Sequence, residues 1–382
     1  MIKEYQHKFA RFLGAERAFA FWKGRVALYA LLRTLDVGQG DEVILPGYTC
    51  VMNVNPIKYA GARPVYVDIE PDTFNMNVAL LKEKITNKTK VIIAQHTYGY
   101  PCEMNTIMKI AQNSGICVIE DCCLALGSKY KGRMVGTFGR AGYFSSQWNK
   151  PYTTGLGGVV ITSDRELAER IESLAANEMC PPSGREVFML RIQLMIYRLF
   201  IYPRTTALAQ SLFRYLTKKG AVVGSSSTSE FEPVKADDFF KAMSSVQARS
   251  GIRQLGKIEK NIAHRRKTAQ LYDELLAAKG FKSSRDSRDW AEPVMVRYPV
   301  RIEEKDKALA QAAKAGIELG SWFECPLHPI ETPLVSYNYE LGMCPEAEKA
   351  AHEVVNLPLH PRTSKKTVER SVDFITGFTQ AG

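Results

Sequence analysis

The sequence predicts an α/β fold, with a large domain built on a mostly parallel sheet between helices and a smaller α/β C-terminal domain. Two observations predict this fold. Between residues 25 and 160, amphipathic helical patterns alternate with short apolar runs, as is typical of βαβ units whose sheet is buried on both faces. In addition, 382 residues exceed what a single core usually holds. We therefore expect a large domain over residues 1–240, and a connecting helix with a small domain over residues 241–382.

The predicted elements follow one another in a regular order. The segment RVALYALLRTL has helical apolar spacing, and DEVILPG is a short apolar strand closed by Pro-Gly. Helix, turn and strand then recur in VNPIKYAGARPVYVDI, in VALLKEKITNKTKVIIAQHTYG and in MNTIMKIAQNSGICVIEDCC. Beyond residue 240, a long helical stretch precedes PVMVRYPVRIEEKDKALAQAAKAGIEL. This last segment has the pattern of a strand followed by a helix, which predicts the small domain.

The charge and the cysteine pattern limit the classes of molecule that the protein is expected to bind. The net charge is +11, from 51 basic and 40 acidic residues, which suits nucleic acid, a membrane surface or an anionic small molecule. No basic block is interleaved with stacking aromatic residues and no helix-turn-helix or zinc-finger pattern occurs, so we expect no nucleic-acid binding. The eight cysteines lack paired CxxC spacing and a nearby histidine pair, so we expect neither a metal site nor disulfides. With no secretion signal evident, we expect a cytoplasmic protein.

One segment departs from the α/β pattern. Residues from about 183 to 223 predict an inserted basic, apolar helical segment. Its stretch EVFMLRIQLMIYRLFIYP is nearly all apolar, but it is too short and too charged to predict a membrane span. Two interpretations stay open: the apolar faces pack on the domain or on a partner subunit, or residues 185–219 make peripheral contact with an anionic membrane surface.

Polar residues follow the predicted strands, at the sheet edge where parallel sheets collect their ligands. Asp121 ends the buried run CVIED, and Lys150 follows the next strand in YFSSQWNK. Asp121 either caps a helix or faces a protonated ring nitrogen, which is the carboxylate that pyridoxal phosphate (PLP) requires. Lys150 is either a solvated charge or a lysine that forms a Schiff base, which requires a partly buried amine. The residues alone leave these alternatives open.

At these residues the sequence resembles the DegT/DnrJ/EryC1/StrS family of PLP-dependent sugar aminotransferases, which have the aspartate aminotransferase fold of type I. The matching segments are DVGQGDEVILPGYT, NPIKYAGARPVYVDIEPDTFNMN, the stretch from AQHTYGYP to GRAGYFS, KAMSSVQA and VVNLPLHPRTSKKTVE. The resemblance implies that Lys150 forms the Schiff base, that Asp121 pairs with the pyridine nitrogen and that Ser145 binds the phosphate. It also implies a homodimer.

The resemblance extends to other cofactor contacts, although several of these positions depart from the family pattern. The phosphate loop is GRVAL, which implies that Gly24, Arg25 and Val26 contact the phosphate, with Arg25 in place of a threonine. At the ring, Cys50 replaces an aromatic residue and Leu124 replaces a glutamine. We expect Arg25 to compensate for lost phosphate contacts through a bidentate, charge-assisted hydrogen bond.

The substrate side departs further from the family. The resemblance implies substrate contacts from four residues: His96, Tyr98, Trp322 and His328. Trp322 stands in place of the first histidine of a family motif, while His328 keeps the second, and Leu126 replaces another histidine. Phe240 and Ala242 replace the asparagine and the arginine that a neighbouring subunit usually sends to the phosphate.

The resemblance implies an aminotransferase. We expect it to transfer an amino group, with glutamate as donor, to a keto-sugar carried on a nucleotide, in the synthesis of cell-surface polysaccharide, glycan or antibiotic sugars. Lys150 would act as general acid and base. Two alternatives stay open. One is a PLP-dependent sugar dehydratase, although those relatives have histidine in place of the lysine. The other is a non-catalytic PLP-binding or membrane-associated regulatory protein, which the altered positions favour.

Overall fold

A seven-stranded sheet forms the centre of the structure, a computed structural model that describes residues 1–148, 150–200, 234–281, 288–330 and 334–378. The strands, in their spatial order, are β1 (Arg17–Phe21), β10 (Gly158–Thr162), β9 (Ala141–Ser145), β6 (Cys117–Asp121), β5 (Thr89–Gln95), β2 (Glu42–Pro46) and β4 (Arg63–Val67). Only β10 runs against the others. The prediction of a mostly parallel sheet is therefore confirmed.

Among the described residues, helices pack on this sheet and also build the C-terminal part of the chain. They are α1 (Ile2–Leu13), α2 (Gly24–Thr34), α3 (Val51–Tyr59), α4 (Val78–Leu81), α5 (Met104–Asn113), α6 (Arg165–Glu178), α7 (Gly184–Phe200), α8 (Ser245–Leu255), α9 (Ile258–Ala278), α10 (Lys305–Ala315), α11 (Pro345–Glu353) and α12 (Lys365–Ile375). Successive residues of a strand point to opposite faces, so Val91 and Ile93 enter one apolar cluster while Ile92 and Ala94 enter the other. Burial on both faces explains the continuous apolar runs in the sequence.

Side-chain hydrogen bonds fix the start of α8. Ser244 and Gln247 form a capping box at its N-terminus. The side-chain amide of Gln247 also donates to the carbonyls of Trp22, at 3.1 Å, and Leu156, at 2.7 Å. One buried glutamine therefore fixes the helix start against the loops that follow β1 and precede β10.

The C-terminal part of the chain contributes its own strands. β12 (Tyr298–Arg301) pairs antiparallel with β14 (Val354–Leu357). A two-residue strand, β13 (Leu327–His328), pairs parallel with β3 (Thr49–Cys50), and the Thr49 N–H donates to the Pro326 carbonyl at 2.8 Å. The remaining small sheet joins β11 (Ala291–Glu292), β7 (Lys129–Tyr130) and β8 (Arg133–Met134). The pairing of β3 with β13 brings the segment around residues 322–328 to the edge of the main sheet.

The inserted segment is described only in part. Its first half forms α7, and residues 201–223 lie outside the described residues. Leu190 and Leu194 are buried against Trp22 and Trp148, so one face of α7 packs on the domain. The other face leaves Phe188 61% exposed, with Met195 and Ile196 also exposed. Among the described residues, no helix is long and apolar enough to cross a membrane.

Candidate active site

The predicted site residues meet at the carboxyl edge of the sheet. Asp121 is the last residue of β6 and Ser145 the last of the neighbouring β9. The chain then leaves the sheet, and Lys150 follows five residues later, its backbone N–H donating to the Gln147 carbonyl at 3.0 Å. Adjacent parallel strands end side by side, which is why sequence positions far apart converge here.

Neutral donors hold the buried carboxylate of Asp121. The Asn53 amide donates to Oδ2 at 2.6 Å, and the backbone N–H of Cys123 donates to Oδ1 at 2.8 Å. Asn53 is itself oriented by the Tyr143 hydroxyl, which donates to its Oδ1 at 3.1 Å. The hydrogen bond from the Cys123 N–H closes a local turn, and an aspartate with a purely structural role makes the same bond. The bond from Asn53 fixes the second oxygen, so the whole carboxylate has one orientation.

Lys150 lies in a pocket of aromatic and sulfur-containing side chains. Its Nζ is 5.2 Å from the ring centroid of Trp322. Burial raises the pKa of the Cys50 thiol, on which the charges of Lys150 and Asp121 also act. Burial likewise lowers the pKa of His328 to about 4, and the charge of Lys150 acts in the same direction. The amine of Lys150, the carboxylate of Asp121 and the imidazole of His328 therefore belong to one site.

The N-terminus of α2 lies beside Ser145. A Cβ added to Gly24 would lie 3.0 Å from the Ser145 Cβ and 3.3 Å from its Oγ, so glycine gives the close approach without a shift of Ser145. The first turn of α2 contains no acidic residue and no side chain caps it. Arg25 is buried in this turn. A helix N-terminus with an adjacent arginine and a serine hydroxyl has the donors that a phosphate needs.

These residues fit PLP. The uncapped helix start, Gly24 and Ser145 form a cradle for its phosphate, and Lys150 supplies the amine for covalent attachment. Asp121 has no salt-bridge partner within the described ranges, and a buried carboxylate held only by neutral donors is costly. The protonated ring nitrogen of PLP is a cation that would offset this cost.

The three remaining predicted cofactor contacts are Val26, Leu124 and Cys50. Val26 and Leu124 are buried in the large apolar cluster, so their side chains form part of the core. The Val26 N–H donates to the Lys23 carbonyl at 3.2 Å. Cys50 is half-buried and pairs with His328 across β3 and β13. The charge of Lys150 acts on the Cys50 thiol, so Cys50 lies near the lysine.

Two of the predicted substrate contacts, His96 and Tyr98, are fully buried and hydrogen-bonded within the protein. His96 is fully buried: its Nδ1 accepts from the Cys102 N–H at 2.9 Å, and its Nε2 donates to Glu120 at 3.1 Å. Neither nitrogen remains for a substrate, and the pair instead fixes two loops. Tyr98 is also fully buried, and its hydroxyl donates to the Trp322 carbonyl. Tyr98 therefore supports the segment that carries Trp322.

Phe240 and Ala242 have no side-chain group that could reach a phosphate. Phe240 stacks on Phe21, with ring centroids 6.0 Å apart, and meets Tyr29 edge-on. The Ala242 N–H donates to the Cys180 carbonyl at 2.9 Å. The residues that replace the family's cross-subunit phosphate ligands therefore pack within their own chain.

A cavity of about 540 Å³ opens beside Lys150. It is lined by the loop of Lys150, by α7 and by the C-terminal part of the chain. Its charged lining residues are Lys150, Arg198, Arg265, Arg297, Arg362 and Glu318. Cations therefore exceed carboxylates here, which favours an anionic ligand.

Sequence reasoning missed several of these residues. Asn53 lies outside every quoted segment, while Tyr143 and Arg297 lie inside quoted segments but received no predicted role. Asn53 had a weak signal, because it is a polar residue inside the apolar helix that follows β3. Arg297 also had one, as a charge inside the apolar run PVMVRYPV. A polar residue within a buried element needs a partner, and this rule could have singled out both.

The fold and this set of residues define a PLP-dependent aminotransferase of fold type I. Comparisons with known proteins agree. The profile of the DegT/DnrJ/EryC1/StrS aminotransferase family matches residues 1–189 and 238–376. The chain therefore belongs to this family, and the predictions of the fold, of an aminotransferase and of PLP as cofactor are confirmed.

Individual relatives match all or part of the chain. It is 46% identical over 169 residues to a GDP-perosamine synthase of Escherichia coli O157:H7, a match that spans 44% of this chain and 46% of that relative. It is 29% identical over 379 residues to the GDP-perosamine synthase of Caulobacter vibrioides, covering 97% and 88% of the two chains. Among solved structures, the aminotransferase TlmJ from Streptoalloteichus hindustanus is 27% identical, with a TM-score of 0.77 and coverage of 98% and 90%.

Proposed function

We propose that this aminotransferase transfers the amino group of glutamate to a keto-sugar carried on a nucleoside diphosphate. The observation that carries this proposal is the cavity beside Lys150, whose lining has more cations than carboxylates. A nucleoside diphosphate bears two phosphate groups, which such a lining attracts. Because two relatives are named GDP-perosamine synthase, a GDP-linked keto-sugar is the first acceptor to test.

In this proposal each site residue has one role. Bound PLP supplies an electron sink that makes the α-hydrogen of the amino donor acidic. The Nζ of Lys150 takes this proton from the α-carbon, and in the second half-reaction delivers a proton to the sugar carbon that receives the amine. Asp121 accepts a hydrogen bond from the ring nitrogen and keeps it protonated. Ser145 and the start of α2 hold the phosphate, which orients the ring.

The remaining function classes have weaker support. The family's sugar dehydratases carry histidine where this chain has Lys150, so the retained lysine favours transamination. A non-catalytic regulatory protein would not need a carboxylate whose two oxygens are both oriented, as those of Asp121 are. Both alternatives remain outcomes of the experiment below.

A two-step assay tests the proposed function. Purified protein loaded with PLP is first mixed with L-glutamate, and the absorbance of the cofactor is followed. Keto-sugar nucleotides with GDP, UDP and dTDP carriers are then added, and products are identified by mass spectrometry. We expect glutamate to change the absorbance and at least one acceptor to gain an amine. Loss of water from the sugar without amine transfer would indicate a dehydratase, and no reaction with any amino donor would support the regulatory alternative.

We also propose a homodimer in the cytoplasm. Family membership supports dimerisation, and the eight cysteines, all of them free thiols, support a reducing compartment. Peripheral contact with an anionic membrane surface is a further proposal for the inserted segment. The exposed apolar residues Phe188, Met195 and Ile196, together with the exposed Arg185 and Arg191, support it.

A further inference from the structure

Arg297 and Lys150 both lie against the indole ring of Trp322. Arg297 precedes β12 and lines the same cavity as the lysine. Its Cζ is 4.9 Å from the ring centroid of Trp322, and the Nζ of Lys150 is 5.2 Å from the same centroid. The two cations are therefore no more than about 10 Å apart. Trp322 is also the residue that departs from the family's histidine motif.

The guanidinium of Arg297 makes no hydrogen bond and no salt bridge within the described parts of the chain. Glu318 is the carboxylate that acts on it, but this side chain is hydrogen-bonded to His360, with 2.9 Å between Oε2 and Nε2. Burial lowers the pKa of Arg297. Gly320 provides the space for the guanidinium, since a Cβ at that position would overlap Nη1. Arg297 is half-buried and lines the cavity, so a ligand there that supplies an anion would stabilise this cation.

We propose that Arg297 binds the α-carboxylate of the amino donor, stacked on Trp322. This inference rests on the proposed function, because it assigns one substrate group of that reaction. The planar guanidinium presents two parallel N–H donors that match a carboxylate. The α-carboxylate is separated by a single carbon from the reacting amine, so it must bind close to Lys150. Arg297 lies at that distance from the lysine. The diphosphate of the acceptor carries more charge, and the cavity offers it further cations in Arg198 and Arg362.

The test uses two donors that differ only in the α-carboxylate, L-glutamate and 4-aminobutyrate. Single-turnover rates are measured for PLP-loaded wild type, Arg297→Gln and the control Arg301→Gln. Arg301 lies on the adjacent strand β12 and pairs with Glu353 at 2.8 Å, away from the cavity. We expect Arg297→Gln to reduce the preference for glutamate over 4-aminobutyrate by about 100-fold. The control should keep the wild-type preference.

Three results would overturn this inference. The first is an unchanged glutamate rate in Arg297→Gln. The second is an equal loss with both donors, which would mean that Arg297 only supports Trp322. The third is a defect confined to the second half-reaction with the sugar nucleotide, which would assign the guanidinium to the acceptor's diphosphate. A wild type that reacts with glutamate but aminates no sugar nucleotide would refute the proposed acceptor alone, because the donor comparison would still be measured.

Discussion

The carboxylate of Asp121 is fixed by hydrogen bonds from its neighbours, and this fixed orientation suits its proposed role at the cofactor. Its two oxygens accept from Asn53 and from the backbone of Cys123, and Tyr143 in turn orients Asn53. These neutral donors fix the carboxylate without neutralising it. A fixed carboxylate can accept a hydrogen bond from the ring nitrogen of PLP without reorganising during the reaction.

We predict that Asp121→Asn keeps the fold but lowers kcat by about 100-fold or more, because an amide cannot hold the ring nitrogen protonated. Asp164→Asn is the matched control. Asp164 caps α6 by accepting from the Leu167 N–H at 2.9 Å, and asparagine caps helices as well as aspartate does. Steady-state kinetics and thermal unfolding of both variants test the prediction. A rate within a few-fold of wild type in Asp121→Asn would show that Asp121 only stabilises a local turn.

We predict that His328 makes stability depend on pH. Burial lowers its pKa to about 4, against about 6.5 in an unfolded chain. Between these values the unfolded chain binds a proton that the folded chain does not, so stability falls as the pH falls through this window. Wild type should lose about 2 kcal/mol more than His328→Gln between pH 6.5 and 4.5. Urea unfolding at the two pH values measures this difference, and equal losses in the two proteins would show that folding does not lower the pKa of His328.

At the scale of elements, α7 is the part of the chain that the family pattern explains least. The family profile ends at residue 189 and resumes at 238, so most of α7 lies outside it. Its inner face nevertheless supports the site. Leu194 packs beside Trp148, and the Tyr197 hydroxyl donates to the Trp148 carbonyl at 3.3 Å. Part of the cavity wall therefore lies outside the family profile.

The exposed face of α7 gives a prediction about membranes. A variant with Phe188, Met195 and Ile196 all changed to Gln keeps the buried Leu190 and Leu194, so the helix should still pack. We expect the wild type to sediment with anionic vesicles at low salt, and the variant to remain in solution. If neither protein sediments, the membrane interpretation is wrong. If the variant instead loses dimerisation, this face is a subunit contact.

The sequence predicted elements better than it predicted contacts. Alternating helices and apolar runs predicted the parallel sheet, because burial on both faces leaves a pattern that can be read locally. The positions of Asp121, Ser145 and Lys150 came from strand ends and from family motifs. The partners Asn53 and Arg297 did not, since each lies far along the chain from the site residue it meets. His96 was predicted to contact the substrate for the same reason. The sequence does not show that Glu120 and the backbone of Cys102 form hydrogen bonds with its two ring nitrogens.

At the scale of the whole molecule, the assembly remains a prediction, as do the domain boundaries near residue 240. Family membership favours a homodimer, but Phe240 and Ala242 give no phosphate ligands to a partner. We expect a dimer by light scattering at micromolar concentration, and we expect Arg25→Thr to weaken PLP binding, because this buried arginine is the candidate replacement for those ligands. A monomer that retains full activity would show that one chain builds the site alone.

The most direct test of the central claim is to locate the lysine that holds the cofactor. Protein loaded with PLP is reduced with borohydride, digested and mapped by mass spectrometry, with Lys150→Ala as control. The pyridoxyl group should be found on the peptide that contains Lys150, and the variant should carry no label and transfer no amine. A label on another lysine, or transamination by the Lys150→Ala protein, would contradict the account.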